Sequence, residues 1–439
     1  MISFTALDRE NTEPASIDSV AVYIHIPFCR TRCHYCAFYL ETGFSPRVLR
    51  ETLLAIVLEA EAWHERLGFP RIDSVYIGGG TPSVIPPEAM ARFLDDLSSV
   101  LRMADHPPPR EWTVEVNPES VSERLIAVLE EAGVDRISLG IQSLQDSELA
   151  LLGRRSDATR ARASLDTLAH HWHGRLSVDL IIGTPGQSPR DIEATIAELT
   201  EFGTGHISCY GLTVEPGTAL EQSVNAGRVV MPDRDTHEKL WIHARRALAK
   251  NGLSAYEVSN FAKPGDESIH NAAYWHLRPY LGLGPGAVST IPVFARESGS
   301  ERLLRLTGGS IFSYQQIHRG TLDHESELLY NRDVLFEHFM NGLRTRYGVS
   351  TGALGRRFDI DIKDLLRYLE QSWKGFAAVD RRVNPASRLC LKTGSRDIVD
   401  AWLPELLALL ESRYTQDEPP FRKGGAAAPM RLSSRGRNE

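Results

Sequence analysis

Only five of the 439 residues are cysteine, and no fourth cysteine stands near the three that crowd together at Cys29, Cys33 and Cys36. That scarcity excludes a disulfide framework, which small secreted domains build from many cysteines and a chain of this size does not need. Cys209 and Cys390 stand alone and read as small buried hydrophobes. Basic residues are short as well: 49 Lys and Arg against 57 Asp and Glu leave a formal charge of −8. Without a basic stripe, a nucleic-acid partner held through its phosphates is not expected. No window holds eighteen consecutive apolar residues, so no transmembrane segment is expected, although a transient membrane contact is compatible with the sequence. The start, MISFTALDRENTEPASID, has acids and no apolar core of signal-peptide length. A cytoplasmic protein with reduced thiols is the expectation.

What is there is a rhythm. From Val20 to about Gly211, short apolar runs (AVYIHI, SVYIGGG, WTVEVNP, RISLGIQS, SVDLIIGTPG and HISCYGLTVEPG) alternate with amphipathic stretches. Helices are expected over Pro46 to Leu67, Pro86 to Arg102, Ser120 to Ala132, Ser143 to Leu152, Ala158 to His171 and Ser188 to Phe202. Such alternation implies parallel strands joined by right-handed crossovers. Six units fit an α/β fold, either an incomplete barrel or a doubly wound sheet. In both, ligands gather at the strands' carboxyl ends, where Gly78 to Thr81, Glu115, Asn117, Gln142, Asp179, Thr213 and Glu215 fall. A further helix is expected from about Asp233 to Lys250, ended at Asn251-Gly252. The expected units are an extension over 1–19, the strand-helix region over 20–325, a smaller, mainly helical C-terminal domain with a winged-type hairpin over 326–416, and a disordered tail over 417–439.

The spacing C-x3-C-x2-C just after a strand lets three thiolates face one group. A structural zinc site wants four ligands, and here only His25 or His34 could complete it. A 4Fe-4S cluster with one iron open to a small molecule suits three soft ligands better.

This motif, with Tyr35 before the third cysteine, resembles the radical S-adenosylmethionine (SAM) superfamily. YIHIPFC, GGGTPS, EVNPES, LGIQSL, VDLIIGTPGQS and LTVEPGT resemble, in order, the oxygen-independent coproporphyrinogen III oxidase-like family. The stretch YEVSNFAKPGDESIHNAAYWHLRPYLGLGPGAVS resembles the HemW-type heme chaperones within it. The oxidases carry a fourth cysteine two positions after the third, where this chain has Phe38. Chaperone-type relatives often carry Asp after the third cysteine, where this chain has Ala37, and a His commonly follows the position of Arg154, which here reads GRRS.

The resemblance implies an incomplete (βα)6 TIM-like radical SAM barrel with a 4Fe-4S cluster on Cys29, Cys33 and Cys36 and SAM beside it. It implies that Gly79, Gly80 and Thr81 hold the methionyl amine, with Tyr23, Tyr35 and Glu115 around the same SAM. Gln142, Arg154 and Asp179 match positions that bind a second SAM in the oxidases; a structural ion pair is the plainer reading of Arg154 and Asp179. Heme needs a flat apolar slot, cations and often an axial side chain, and HNAAYWH offers His270, Tyr274, Trp275 and His276, with His270 the expected contact. The expected function is heme delivery to acceptor hemoproteins, with a homodimer compatible. The alternative is a radical SAM enzyme, an oxidase or methyltransferase acting on a porphyrinogen or another small molecule.

Overall fold

The computed structural model describes residues 3–297, 301–317, 321–322, 324–358, 362–373, 377–380, 388–391 and 396–416. The tail expected over 417–439 lies outside the described residues. Six strands, Ser19–Ile26, Arg71–Gly79, Glu111–Val116, Arg136–Gln142, Arg175–Ile182 and His206–Gly211, pair in parallel and in chain order. Their order never reverses, so there is no switch point of the doubly wound kind, and the open alternative resolves to the barrel. The barrel is incomplete. Among the described residues the sixth strand pairs outward with Asn260–Ala262, and the first with Tyr280–Leu283, instead of with each other.

Beyond Tyr280–Leu283 the same sheet continues antiparallel through Val288–Ala295, Glu301–Gly308 and His324–Leu329. The last of these strands runs across the expected boundary between 325 and 326, because its alternating pattern pairs with Leu303 to Gly308 over its full length. The expected N-terminal extension is likewise tied down: Thr12–Pro14 pairs with Val293 to Ala295, and Ala6 and Leu7 are buried.

Helices pack outside the strands where capping chemistry starts them. Ser45 Oγ accepts from Val48 N at 3.2 Å with Pro46 in the first turn, and Ser188 and Asp157 cap their helices the same way. The helix expected from Ser120 begins only at Glu123, capped by Ser122, because Pro118 starts a separate 3-10 turn over Pro118–Ser120. Apolar residues of strands and helices form one large core, with Trp63 fully buried. A second core, containing Phe339, Leu343, Trp373, Leu406 and Leu410, joins helices Asn331–Leu343, Ile362–Ser372 and Leu403–Arg413 and includes Leu303 and Leu329 of the sheet. A hairpin, Ala377–Asp380 with Arg388–Leu391, lies in this helical part. No helix among the described residues is long and apolar enough to cross a membrane.

Candidate functional site

The three cysteines sit on the loop that leaves the first strand at Ile26. The loop is drawn together at its neck, where Cys29 N donates to Glu41 O at 3.0 Å and Glu41 N to Pro27 O at 2.7 Å. Arg32 staples the far side by donating to the carbonyls of Cys36, Phe38 and Leu40 at 3.3, 3.2 and 2.8 Å. His34 pins the middle: its N donates to Leu152 O, its O accepts from Leu220 N, and its Nδ1 meets Leu151 O at 2.9 Å. A loop held at these points presents its thiols with little ordering left to do on binding.

One polar chain connects two of the cysteines across the strand ends. Cys29 Sγ lies 3.2 Å from Thr81 Oγ1, Asn117 Nδ2 donates to Thr81 Oγ1 at 3.1 Å, and Arg154 Nη2 donates to Asn117 Oδ1 at 2.9 Å. Arg154 then reaches Gly140 O at 2.7 Å and Cys33 Sγ at 3.5 Å. Burial opposes the charge on Arg154, but Cys33 and Tyr35 beside it outweigh burial and hold the guanidinium above its ordinary value. Burial pushes the Cys29 thiol up to about 11 and the Cys36 thiol up as well. Cys29 and Cys36 therefore hold their protons unless a metal displaces them.

Beside the loop, Gly79 has φ +106°, and a Cβ there would sit 2.5 Å from the His25 ring. Only glycine fits. A Cβ on Gly80 would meet the backbone of Ile26 and Phe28 at 2.8 Å, so the glycine loop lies directly on the cysteine loop's stem. Glu115 accepts from Gly79 N at 3.2 Å and from Tyr76 OH at 2.7 Å. Burial, reinforced by Asp179, raises the Glu115 carboxyl to about 7; burial raises Asp179 to about 6. Two carboxyls in one half-buried mouth, each poised to ionise when a cation arrives, suit an amine-bearing ligand.

Tyr23 lines the same mouth, its ring 6.2 Å from Tyr76 and its OH 2.9 Å from His25 Nδ1. Tyr35 packs on a small apolar group of Leu152, Ile181, Leu212 and Leu220. Gln142 closes the rim at a bulge in the fourth strand, with a left-handed φ of +67°. Its Nε2, Asn117 Oδ1 and Arg154 Nη2 all lie over Gly140.

His270 is elsewhere. It is 1% exposed in helix Ile269–Trp275 at the barrel's other end, with Nδ1 2.9 Å from Ser74 Oγ and Nε2 2.8 Å from Tyr274 OH. Both ring nitrogens are engaged, so in this arrangement His270 offers no lone pair to an iron; it stacks on Tyr76 at 5.3 Å instead. Glu111, buried against Arg136 at 3.4 Å, caps this helix through Ile269 N at 2.8 Å and Ser268 Oγ at 2.8 Å.

The zinc alternative fares no better. His25 Nε2 is taken by Tyr39 O at 2.9 Å and its Nδ1 by Tyr23, so His25 has neither ring nitrogen left for a metal. Among the described residues no three His, Cys, Asp or Glu side chains are set around one metal ion. Three soft thiols, a buried cation and a glycine-lined opening fit an iron–sulfur cluster, in which each thiolate ties to its own iron.

One residue of this mouth, Tyr76, was not among the expected site residues, whereas Asn117 was expected at the strand ends. Its signal is period two: Tyr76 precedes Gly78 by two positions on an inward face.

Comparison with known proteins bears on the same residues. The Radical SAM superfamily profile matches residues 23–199. The chain is 39% identical over 279 residues to the heme chaperone HemW of Mycobacterium tuberculosis, covering 62% of this chain and 70% of that one. It is 30% identical over 347 residues to the heme chaperone HemW of Bacillus subtilis, covering 77% and 86%. A bovine mitochondrial protein, radical S-adenosyl methionine domain-containing protein 1, is 39% identical over 269 residues, and the match spans only 60% of its length. The structure of Escherichia coli coproporphyrinogen III oxidase (HemN), described as a radical SAM enzyme, superposes with a TM-score of 0.68 over 93% of both chains at 18% identity. At that identity the likeness is one of fold.

Proposed function

Since the chain belongs to the radical SAM superfamily and, within it, to the HemW-type heme chaperones, we propose that it carries a 4Fe-4S cluster on Cys29, Cys33 and Cys36, binds SAM beside it and delivers heme to acceptor hemoproteins. The cluster, when bound, supplies the electron for reductive cleavage of SAM. The chain's own residues orient the ligands. Gly79 and Gly80 bring bare backbone to the methionyl amine, and Glu115, whose ionisation burial opposes, ionises against that cation. Tyr23 and Tyr35 wall the ligand, and Arg154 balances thiolate charge through Cys33.

The observation that carries the chaperone reading is at the loop's tip. Phe38, 70% exposed, stands where the resembling oxidases have their fourth cysteine, so the position offers an apolar surface instead of a thiol. One observation favours the enzyme reading: Gln142 and Arg154 converge over Gly140 at the same mouth as Asp179, which would suit a second SAM. A cytoplasmic setting is part of the same reading, and free thiols able to ligate iron support it.

The test is an anaerobic titration of cluster-loaded protein with heme, then mixing with an apo-hemoprotein, and in parallel incubation with SAM, a reductant and coproporphyrinogen III. Stoichiometric heme binding with transfer and no porphyrinogen turnover is expected. Turnover with no transfer would replace the chaperone with an oxidase.

A further inference from the structure

The hydrogen bonds that join Arg154, Asn117 and Thr81 to two cysteines have a direction, and the chemistry of the donors sets it. A guanidinium carries donors only. Arg154 Nη2 lies 2.9 Å from one end of the Asn117 amide, so that end is the oxygen, and the amide nitrogen is left to face Thr81 Oγ1 at 3.1 Å. The Thr81 oxygen therefore accepts from Asn117. Its own proton remains, and Cys29 Sγ lies 3.2 Å away. A cysteine tied to iron is a thiolate, which accepts and cannot donate. With Cys29 ligated, the Thr81 hydroxyl points at sulfur.

We propose that Asn117 is a positioning residue that sets how readily the cluster accepts an electron: it turns the Thr81 hydroxyl onto Cys29 Sγ, holds Arg154 on Cys33 Sγ, and so raises the cluster's reduction potential. The proposal rests on the cluster reading above and gives that site its means of tuning.

The residues around the amide fix it in place. Asn117 follows strand Glu111–Val116 directly, and its own N donates to Ser83 Oγ at 3.1 Å, so backbone and side chain are both held. Arg154 spends both protons of Nη2, one on Asn117 and one on Gly140 O at 2.7 Å, while Nη1 donates to Cys33 Sγ at 3.5 Å. Gly140 leaves the room for this. A Cβ there would stand 3.0 Å from Asn117 Oδ1 and 3.5 Å from Arg154 Nη2. Thr81 and Cys29 are each only 7% exposed, so little water competes for the sulfur and the hydrogen bond acts at low dielectric.

The third cysteine is treated differently. Among the described residues no side-chain donor reaches Cys36 Sγ, and Arg32 donates to Cys36 O at 3.3 Å. The chain thus starts from one cation and ends on two of the three sulfurs. Reduction adds one electron to the cluster and forms or breaks no bond to these side chains. A donor aimed at sulfur favours the form with the extra negative charge, so removing it lowers the potential.

The test uses the full chain with its cluster reconstituted anaerobically, titrated with dithionite and redox mediators and read by electron paramagnetic resonance. Asn117→Ala and Thr81→Val should each lower the reduced-to-oxidised ratio at a fixed potential by about tenfold, which for one electron is about 59 mV. Thr81→Ser, which keeps the hydroxyl, should stay with the wild type. Iron and sulfide per chain should match across the proteins compared; where Thr81→Val takes up less iron, Asn117→Ala and Thr81→Ser carry the comparison. The double variant, Asn117→Ala with Thr81→Val, should shift by less than the sum of the two, because Asn117 acts in part through Thr81. In deuterium oxide the reduced wild-type cluster should show an exchangeable deuteron coupling that Thr81→Val loses and Thr81→Ser keeps. A wild-type potential in cluster-loaded Asn117→Ala, or fully additive shifts in the double variant, overturns the proposal and leaves the cluster reading standing. A wild-type chain that takes up no iron and sulfide removes both.

Discussion

Glu115 is a carboxyl that the fold holds protonated in the absence of ligand, and this sets the sign of a measurable pH effect. Its value of about 7, against an ordinary 4.5, arises first from burial and then from Asp179. Forcing it to ionise costs on the order of 3 kcal/mol, and solvent reaching the half-buried side chain reduces this to about 2 kcal/mol. The folded state binds the proton more tightly than the unfolded state. The stability so conferred is fully present below pH 4.5 and is lost as pH rises to about 7. His206 and His270, held neutral at about 3 and about 4 by burial, act oppositely below pH 6.5, so the raw profile mixes both. The difference between wild type and Glu115→Gln isolates the carboxyl. Denaturant midpoints of cluster-free protein from pH 5 to 8.5 should show wild type losing about 2 kcal/mol relative to the variant across pH 5–7.5. Parallel profiles would refute the assignment of this proton to Glu115. In the SAM-bound protein the wild-type penalty should shrink, because the ligand's ammonium pairs with the ionised carboxylate.

Other expectations can be checked directly. Gly79→Ala places a Cβ 2.5 Å from the His25 ring at φ +106° and should cost about 1–3 kcal/mol in local strain; SAM binding by calorimetry should fall while iron content persists. Cys33→Ser should depress iron and sulfide after anaerobic reconstitution, whereas Cys390→Ser, distant from the loop, should leave both at the wild-type level. Glu111→Ala strips the partner from Arg136 and the cap from helix Ile269–Trp275, and should lower stability by about 3–5 kcal/mol with faster amide exchange over 268–276. Arg175, 3.8 Å from the same carboxylate, loses that partner too, so a change under about 1 kcal/mol would refute the assigned role of Glu111.

Much of the architecture was legible in the chain because its signals are local. Alternating runs and capped helices are written in neighbours: Ser45-Pro46 and Ser188-Pro189 each start a helix where expected. The start after Pro118 was misplaced because two caps, Asn117 and Ser122, compete within five residues. The sheet's continuation past Tyr280 was less readable, since its last antiparallel pairing, of Glu301–Gly308 with His324–Leu329, joins strands that are not neighbours along the chain.

The sequence by itself determined the three-thiol loop, the glycine turn and the polar residues at the strand ends, because spacing of two, three or four residues sets which atoms leave one element together. Only the tertiary structure decided what those residues face. Arg154 meets Cys33 across 121 positions of chain, and Thr81 meets Cys29 across 52. Within HNAAYWH, sequence cannot tell which partners each histidine meets; packing holds both ring nitrogens of His270 against Ser74 and Tyr274, while His276 bonds Ala272 O of its own helix through Nδ1.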